Sequence, residues 1–86
     1  MKVNNSEVGR RINSIRKDMG INQEDFGKRI YDAHKSLVSK WEKGQSLPNN
    51  ERLKKIAEIG GITVNELLYG DFESYCYGIF DAVNAA

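Results

Sequence analysis

The fold of this chain turns on residues 20–44, GINQEDFGKRIYDAHKSLVSKWEKG. Gly20 stops whatever precedes it. Asn22 then serves as a good N-cap, because its side-chain carbonyl can take up an otherwise orphaned backbone N–H at a helix start. Glu24 and Asp25 fall in the first turn, where the positive end of the helix dipole favours carboxylates, and Phe26, Gly27 and Ile30 fall on the side to be buried. The next helix is expected from about His34 to Lys43, with Val38 and Trp41 on one side and Gly44 supplying the left-handed turn that ends it. Tyr31-Asp32-Ala33 joins the two.

Upstream, Asn5 or Ser6 can cap a first helix that carries Val8, Ile12, Ile15 and Met19 at helical spacing before Gly20. Downstream, Leu47-Pro48 marks a loop, and Asn49 caps a fourth helix running through Leu53, Ile56, Ala57 and Ile59 to the Gly60-Gly61 break. Thr63-Val64-Asn65-Glu66 reads as a capping box, in which Thr63 and Glu66 satisfy each other's orphan donors, and the fifth helix it opens ends at Gly70. No strand is expected. The reading is all-α, a compact five-helix bundle with very short loops.

The chain has 86 residues, 40% hydrophobic and 29% charged, which suits one small globular core. A chain this short buries only about 60% of its unfolded surface and cannot also wall off a deep, dry catalytic cavity. With one His, one Cys, no glycine-rich phosphate loop and no metal-binding motif, an enzyme is not expected, and neither a cofactor nor a metal is implied. Cys76, being alone, can form no intramolecular disulfide, and it reads as a small apolar residue. The start, Met1-Lys2-Val3-Asn4-Asn5, has no apolar signal region and no window is apolar enough to span a membrane, so a cytoplasmic protein is expected.

The net charge of +1 conceals a segregation. All 13 Lys and Arg lie in residues 1–55, together with seven acids, whereas residues 56–86 hold only the acids Glu58, Glu66, Asp71, Glu73 and Asp81. A basic front and an acidic rear suggest one face turned to a polyanion and another kept away from it. Residues 71–86 are aromatic, acidic and free of Lys and Arg; read as a helix they put Phe72, Cys76, Ile79, Phe80 and Val83 on one stripe. Five apolar side chains on one stripe predict a short sixth helix or an apolar arm covering the fifth helix, a second subunit or a partner protein. The expected organisation is thus a 1–70 domain followed by a 71–86 tail.

From about Val8 to Tyr69, roughly 60 of the 86 residues, the chain resembles the Cro and C1 repressor helix-turn-helix family, also called the xenobiotic-response-element (XRE) family, with its lambda-repressor-like fold. The resemblance is carried in order by Ile12-Asn13-Ser14-Ile15-Arg16, Gly20 to Gly27, Val38 to Gly44, Leu47-Pro48, Leu53-Lys54-Lys55-Ile56-Ala57 and Ile62 to Leu68. It implies a transcriptional regulator of the repressor kind, a homodimer binding double-stranded DNA with the helix at about 34–43 in the major groove. By the same resemblance the base readers fall on Lys35, Ser36, Ser39 and Lys40. Lysine can donate to guanine O6 and N7 and serine is an adaptable partner, so the set is chemically able to read bases. Gln23, His34, Lys43, Gln45 and Ser46 resemble phosphate contacts, and Arg16 with Glu42 resembles a structural pair between the first and third helices. A lysine here can equally be a solvated charge that only strengthens nonspecific binding.

Two departures from the pattern matter. The interval from Phe26 to Val38 is one residue longer than the family's, so the cap of the third helix falls on Asp32 or His34, and Lys35 and Ser36 could slip by one. Gly60 stands where a large apolar residue is expected, and Ile59 is a candidate to fill that space. The competing reading, from another class, is a protein-interaction module such as an antitoxin, its tail holding a partner.

Overall fold

The computed structural model describes residues 3–70. Five helices follow in order: α1 (Asn5–Met19), α2 (Gln23–Arg29), α3 (Lys35–Glu42), α4 (Asn50–Gly60) and α5 (Val64–Tyr69). There is no strand among these residues. The expectation of a sixth helix or apolar arm falls on residues 71–86, outside the described residues.

Each helix begins where a short polar side chain can take up a free N–H. Asn22, Asn49 and Thr63 cap α2, α4 and α5, accepting from Asp25, Arg52 and Glu66, and the Thr63–Glu66 box is closed in both directions. The start of α1 differs from the sequence reading. Asn4, extended at φ −105° and ψ 109°, accepts from the Glu7 N–H at 3.1 Å, so Asn5 and Ser6 lie inside the first turn. Asn-Asn-Ser offers three capable caps in a row, and the extended residue takes the role.

The cap of α3 is His34. Its Nδ1 accepts from the Ser36 backbone N–H at 3.1 Å, while Asp32 is left in the turn with φ +58°. The extra residue is absorbed there, because Tyr31 (φ +51°) and Asp32 are both left-handed. The turn is closed by the Ala33 N–H donating to the Gly27 carbonyl at 2.8 Å. Gly27 has to be glycine at this approach, since a Cβ would run into the Ala33 carbonyl.

One core joins all five helices: Val8 and Ile12 from α1, Phe26 from α2 with Ile30 at its end, Val38 and Trp41 from α3, Leu53, Ile56 and Ala57 from α4, and Leu67 from α5. α1 packs on α3, α4 and α5, while α2 packs on α3. Where α1 crosses α3, Gly9 lies so near the end of α3 that a Cβ would sit 2.8 Å from the Glu42 carbonyl oxygen, with the Trp41 carbonyl closer still. The space above Gly60 is taken by Ile15, whose Cδ1 lies 2.6 Å from where a Gly60 Cβ would stand. Ile59 is only half-buried against the core and does not occupy that position.

Two predictions follow from this packing. Gly9→Ala drives a methyl group into fixed backbone and should cost about 3 kcal/mol, the upper end of overpacking, whereas Gly60→Ala meets the side chain of Ile15, which yields more readily than backbone, and should cost only about 1 kcal/mol. Urea denaturation of both variants checks the contrast. At the turn, a left-handed L-residue costs about 1–2 kcal/mol and glycine's extra unfolded entropy takes back about 0.5–1, so Tyr31→Gly should raise stability by about 0.5–1 kcal/mol. A lowered melting temperature for Tyr31→Gly would show that the turn carries no such strain.

Candidate nucleic-acid interface

The site is assembled around the Glu42 carboxylate at the last position of α3. Its Oε2 accepts from Arg16 Nε at 2.7 Å; its Oε1 accepts from Asn13 Nδ2 at 2.7 Å, Arg16 Nη2 at 3.0 Å and Gln23 Nε2 at 3.3 Å. Arg16 also donates through Nη1 to the Ile21 carbonyl at 2.9 Å. The carboxylate therefore ties α1, the loop after it and α2 to α3. Only 7% of the Glu42 side chain and 15% of the Arg16 side chain is exposed, which places the pair in the range where removing one partner leaves a costly unpaired charge. Burial alone would raise the Glu42 pKa, but the hydrogen bonds from Arg16, Asn13 and Gln23 and the charge of Arg16 outweigh it and hold the carboxyl below its ordinary value. The hydrogen bond to Glu42 raises Arg16 in turn.

With Val38 and Trp41 fully buried and Glu42 bound on its flank, α3 has a fixed rotation about its axis. At 100° per residue, Lys35, Ser36, Ser39, Lys40 and Lys43 fall on one arc away from that buried side. Lys35, Ser36, Lys40 and Lys43 are exposed and Ser39 is half-buried. The structure brings these sequence-predicted residues together. Ser36 is not wholly free, because its Oγ lies 2.7 Å from His34 Nδ1. Among the described residues the other ring nitrogen, Nε2, has no hydrogen-bond partner.

The remaining candidates divide. Gln45 is exposed beyond the end of α3, whereas Ser46 is half-buried with its Oγ enclosed and without a hydrogen-bond partner, so it must rotate about χ1 before it can meet a phosphate. Gln23 is half-buried at the first position of α2, one amide hydrogen given to Glu42 and the second N–H available to another acceptor. Two residues that carry this architecture had no signal in the sequence reading. Asn13 completes the Glu42 network, and Arg11 donates to the Leu67 and Leu68 carbonyls at 3.1 and 3.3 Å, closing the C-terminal end of α5. Their partners are 29 and more than 50 residues away, beyond any local pattern. Among the described residues no group of three or more His, Cys, Asp and Glu is placed to hold a metal ion.

Comparison with known proteins agrees with this geometry. The family model described as helix-turn-helix matches residues 12–67. The HTH-type transcriptional activator BcrR of Enterococcus faecalis is 28% identical over 93% of this chain, and the chain spans 47% of that relative's length. Among solved structures, the P22 c2 repressor in complex with synthetic operator 9T superposes with a TM-score of 0.69 at 31% identity, covering 74% of this chain and 96% of that one. The solution NMR structure of the DNA-binding domain of the P22 c2 repressor gives a TM-score of 0.67 at 31% identity, over 79% and 88% of the two chains.

Removing the carboxylate tests the site's foundation. Glu42→Ala should cost about 3 kcal/mol at neutral pH, the lower end for breaking a buried pair. A carboxyl whose folded pKa is depressed stabilises the fold above its ordinary value of 4.5, and that contribution is lost as the pH falls through the folded value. The stability gap between wild type and Glu42→Ala, measured by urea denaturation, should therefore be constant from pH 7 to about 5.5 and shrink below about 4.5. A gap independent of pH would remove the charge from the explanation.

Proposed function

We propose that this chain, which belongs to the Cro/C1-type helix-turn-helix family, binds double-stranded DNA at specific sequences and regulates transcription. The observation that carries the reading is the arc of Lys35, Ser36, Ser39 and Lys40, turned outward on a helix whose opposite side is locked into the core. A major groove admits such a helix, and its N-terminal residues then meet base edges. Lys35 and Lys40 donate to guanine O6 and N7; Ser36 and Ser39 adapt to either base of a pair. Around them His34, Gln23, Lys43, Gln45 and Ser46 hold phosphates and set the register, a role that carries no sequence information.

The chain acts as a homodimer whose two recognition helices read half-sites about 34 Å apart, one turn of B-DNA. It is a binding protein without a catalytic step, working in the cytoplasm beside the DNA it reads. No helix among the described residues is long and apolar enough to cross a membrane.

Lys40 and Lys43 separate the two kinds of contact on one helix. Lys40→Ala should lose about 1–3 kcal/mol on the preferred sequence and relax the base choice at one position per half-site. Lys43, at the C-cap of α3, should weaken every sequence alike when changed to Ala and flatten the salt dependence by about one unit per contact. Selection of the preferred site from a random DNA pool, then binding of both variants to preferred and scrambled duplexes across a salt series, measures this. Equal losses for Lys40→Ala on both duplexes would make it a phosphate contact, and the absence of any selected sequence would overturn the reading itself.

A further inference from the structure

The side of α1 that faces away from the recognition helix carries an open groove of about 340 Å³, lined by Arg10, Arg11, Ser14 and Ile15 of α1 with Gly60 and Ile62 beside them. On a helix of 100° per residue these α1 positions centre about half a turn from Gly9, Asn13 and Arg16, which meet α3. The groove is thus separate from the DNA-reading arc. Its floor is apolar, made by Ile15 lying over Gly60 and by half-buried Ile62.

We propose that this groove seats residues 71–86 of the same chain. Three observations select that occupant. The chain leaves α5 at the groove's edge, since a Cβ on Gly70 would stand 2.7 Å from Arg11 Nη2. Charge is ordered in the same direction along both partners. Arg10 and Arg11 share the single carboxylate of Glu7, which leaves that end of the groove net cationic, and the groove turns acidic at Asp18, seven residues and about 10 Å further along α1. The segment begins with the acids Asp71 and Glu73 and continues uncharged from Ser74 to Phe80. The first part thus faces the arginines, and the uncharged part runs over Ile15 and Ile62 without placing a carboxylate against Asp18. Apolar content matches as well: Phe72, Ile79 and Phe80 are large side chains that an Ile-floored groove removes from water, with Cys76 a small apolar residue among them. Reach is no obstacle, since six extended residues from Gly70 to Cys76 span about 20 Å.

Cys76 is the chain's single cysteine and reports its own position. Ser14→Cys places a second thiol in the groove on an exposed residue; Asn65→Cys places one on the exposed surface of α5, five residues before Gly70 and outside the groove. In dilute protein carrying all 86 residues, under a mild disulfide oxidant, Ser14→Cys should close an intramolecular bond to Cys76 about tenfold faster than Asn65→Cys, the advantage of a docked over a freely searching segment. Adding Asp71→Asn and Glu73→Gln should reduce that advantage, as should high salt. Equal rates for the two positions would overturn the proposal, and so would Ser14→Cys yielding covalent dimers in place of closed monomers, which would give the groove to a second copy. DNA binding is not needed for either readout, so the outcome stands apart from the functional reading.

Discussion

The carboxylate of Glu42 is the constraint on which the orientation of α3 depends. An eight-residue helix has little more than two turns, too few to be stable or precisely oriented by its own hydrogen bonds. Val38 and Trp41 anchor one side of α3 by burial, which is strong but non-directional. Donors from Asn13, Arg16 and Gln23 converge on Glu42 and add direction, so that a rotation of α3 by one residue would strand a nearly buried charge. A buried ion pair is a poor source of net stability compared with apolar side chains of the same size. Its contribution here is to orientation: it sets which 140° of the helix surface Lys35 to Lys43 present.

At the other end of α3 the orientation is set by backbone. Gly27 lets the Ala33 carbonyl approach α2, the Tyr31-Asp32 pair turns the chain in two left-handed steps, and His34 closes the helix start. Arg52, in the first turn of α4, reaches the Tyr31 carbonyl at 3.4 Å and supports the strained residue from outside. The left-handed pair turns the chain directly into α3, on which Lys35, Ser36 and Lys40 are exposed and Ser39 is half-buried.

Much of this was legible because it is local. Asn22, Asn49 and Thr63, the glycine stops and the apolar spacing of Val8, Ile12, Phe26, Val38, Trp41, Leu53 and Ile56 depend on neighbours within a turn or two. What composition could not choose were degenerate options: Asn4, Asn5 and Ser6 can all cap, as can Asp32 and His34, and backbone dihedrals decide between them. Contacts at long sequence separation were invisible for a different reason. Nothing near Asn13 announces Glu42, nothing near Arg11 announces the α5 carbonyls, and the vacancy opposite Gly60 was assigned to adjacent Ile59 when distant Ile15 fills it. The Arg16–Glu42 pairing came from family resemblance, not from spacing.

Electrostatics links the two faces of α1. A net charge of +1 gives little long-range attraction to DNA, so orientation on approach depends on where the charge is left uncompensated. Glu7 pairs with Arg10 on the rear of α1 and lies 3.8 Å from Arg11, while Glu42 neutralises Arg16 inside. Lys35 and Lys40 on α3 and Lys43 at its C-cap form no such pair among the described residues. Glu7, placed against the rear arginines, cancels positive charge on that side and leaves the charge of α3 intact. At ionic strengths where the Debye length is about 8–10 Å, much shorter than the domain, a polyanion senses the nearer face and not the average, so a nearly neutral chain can still present one cationic side.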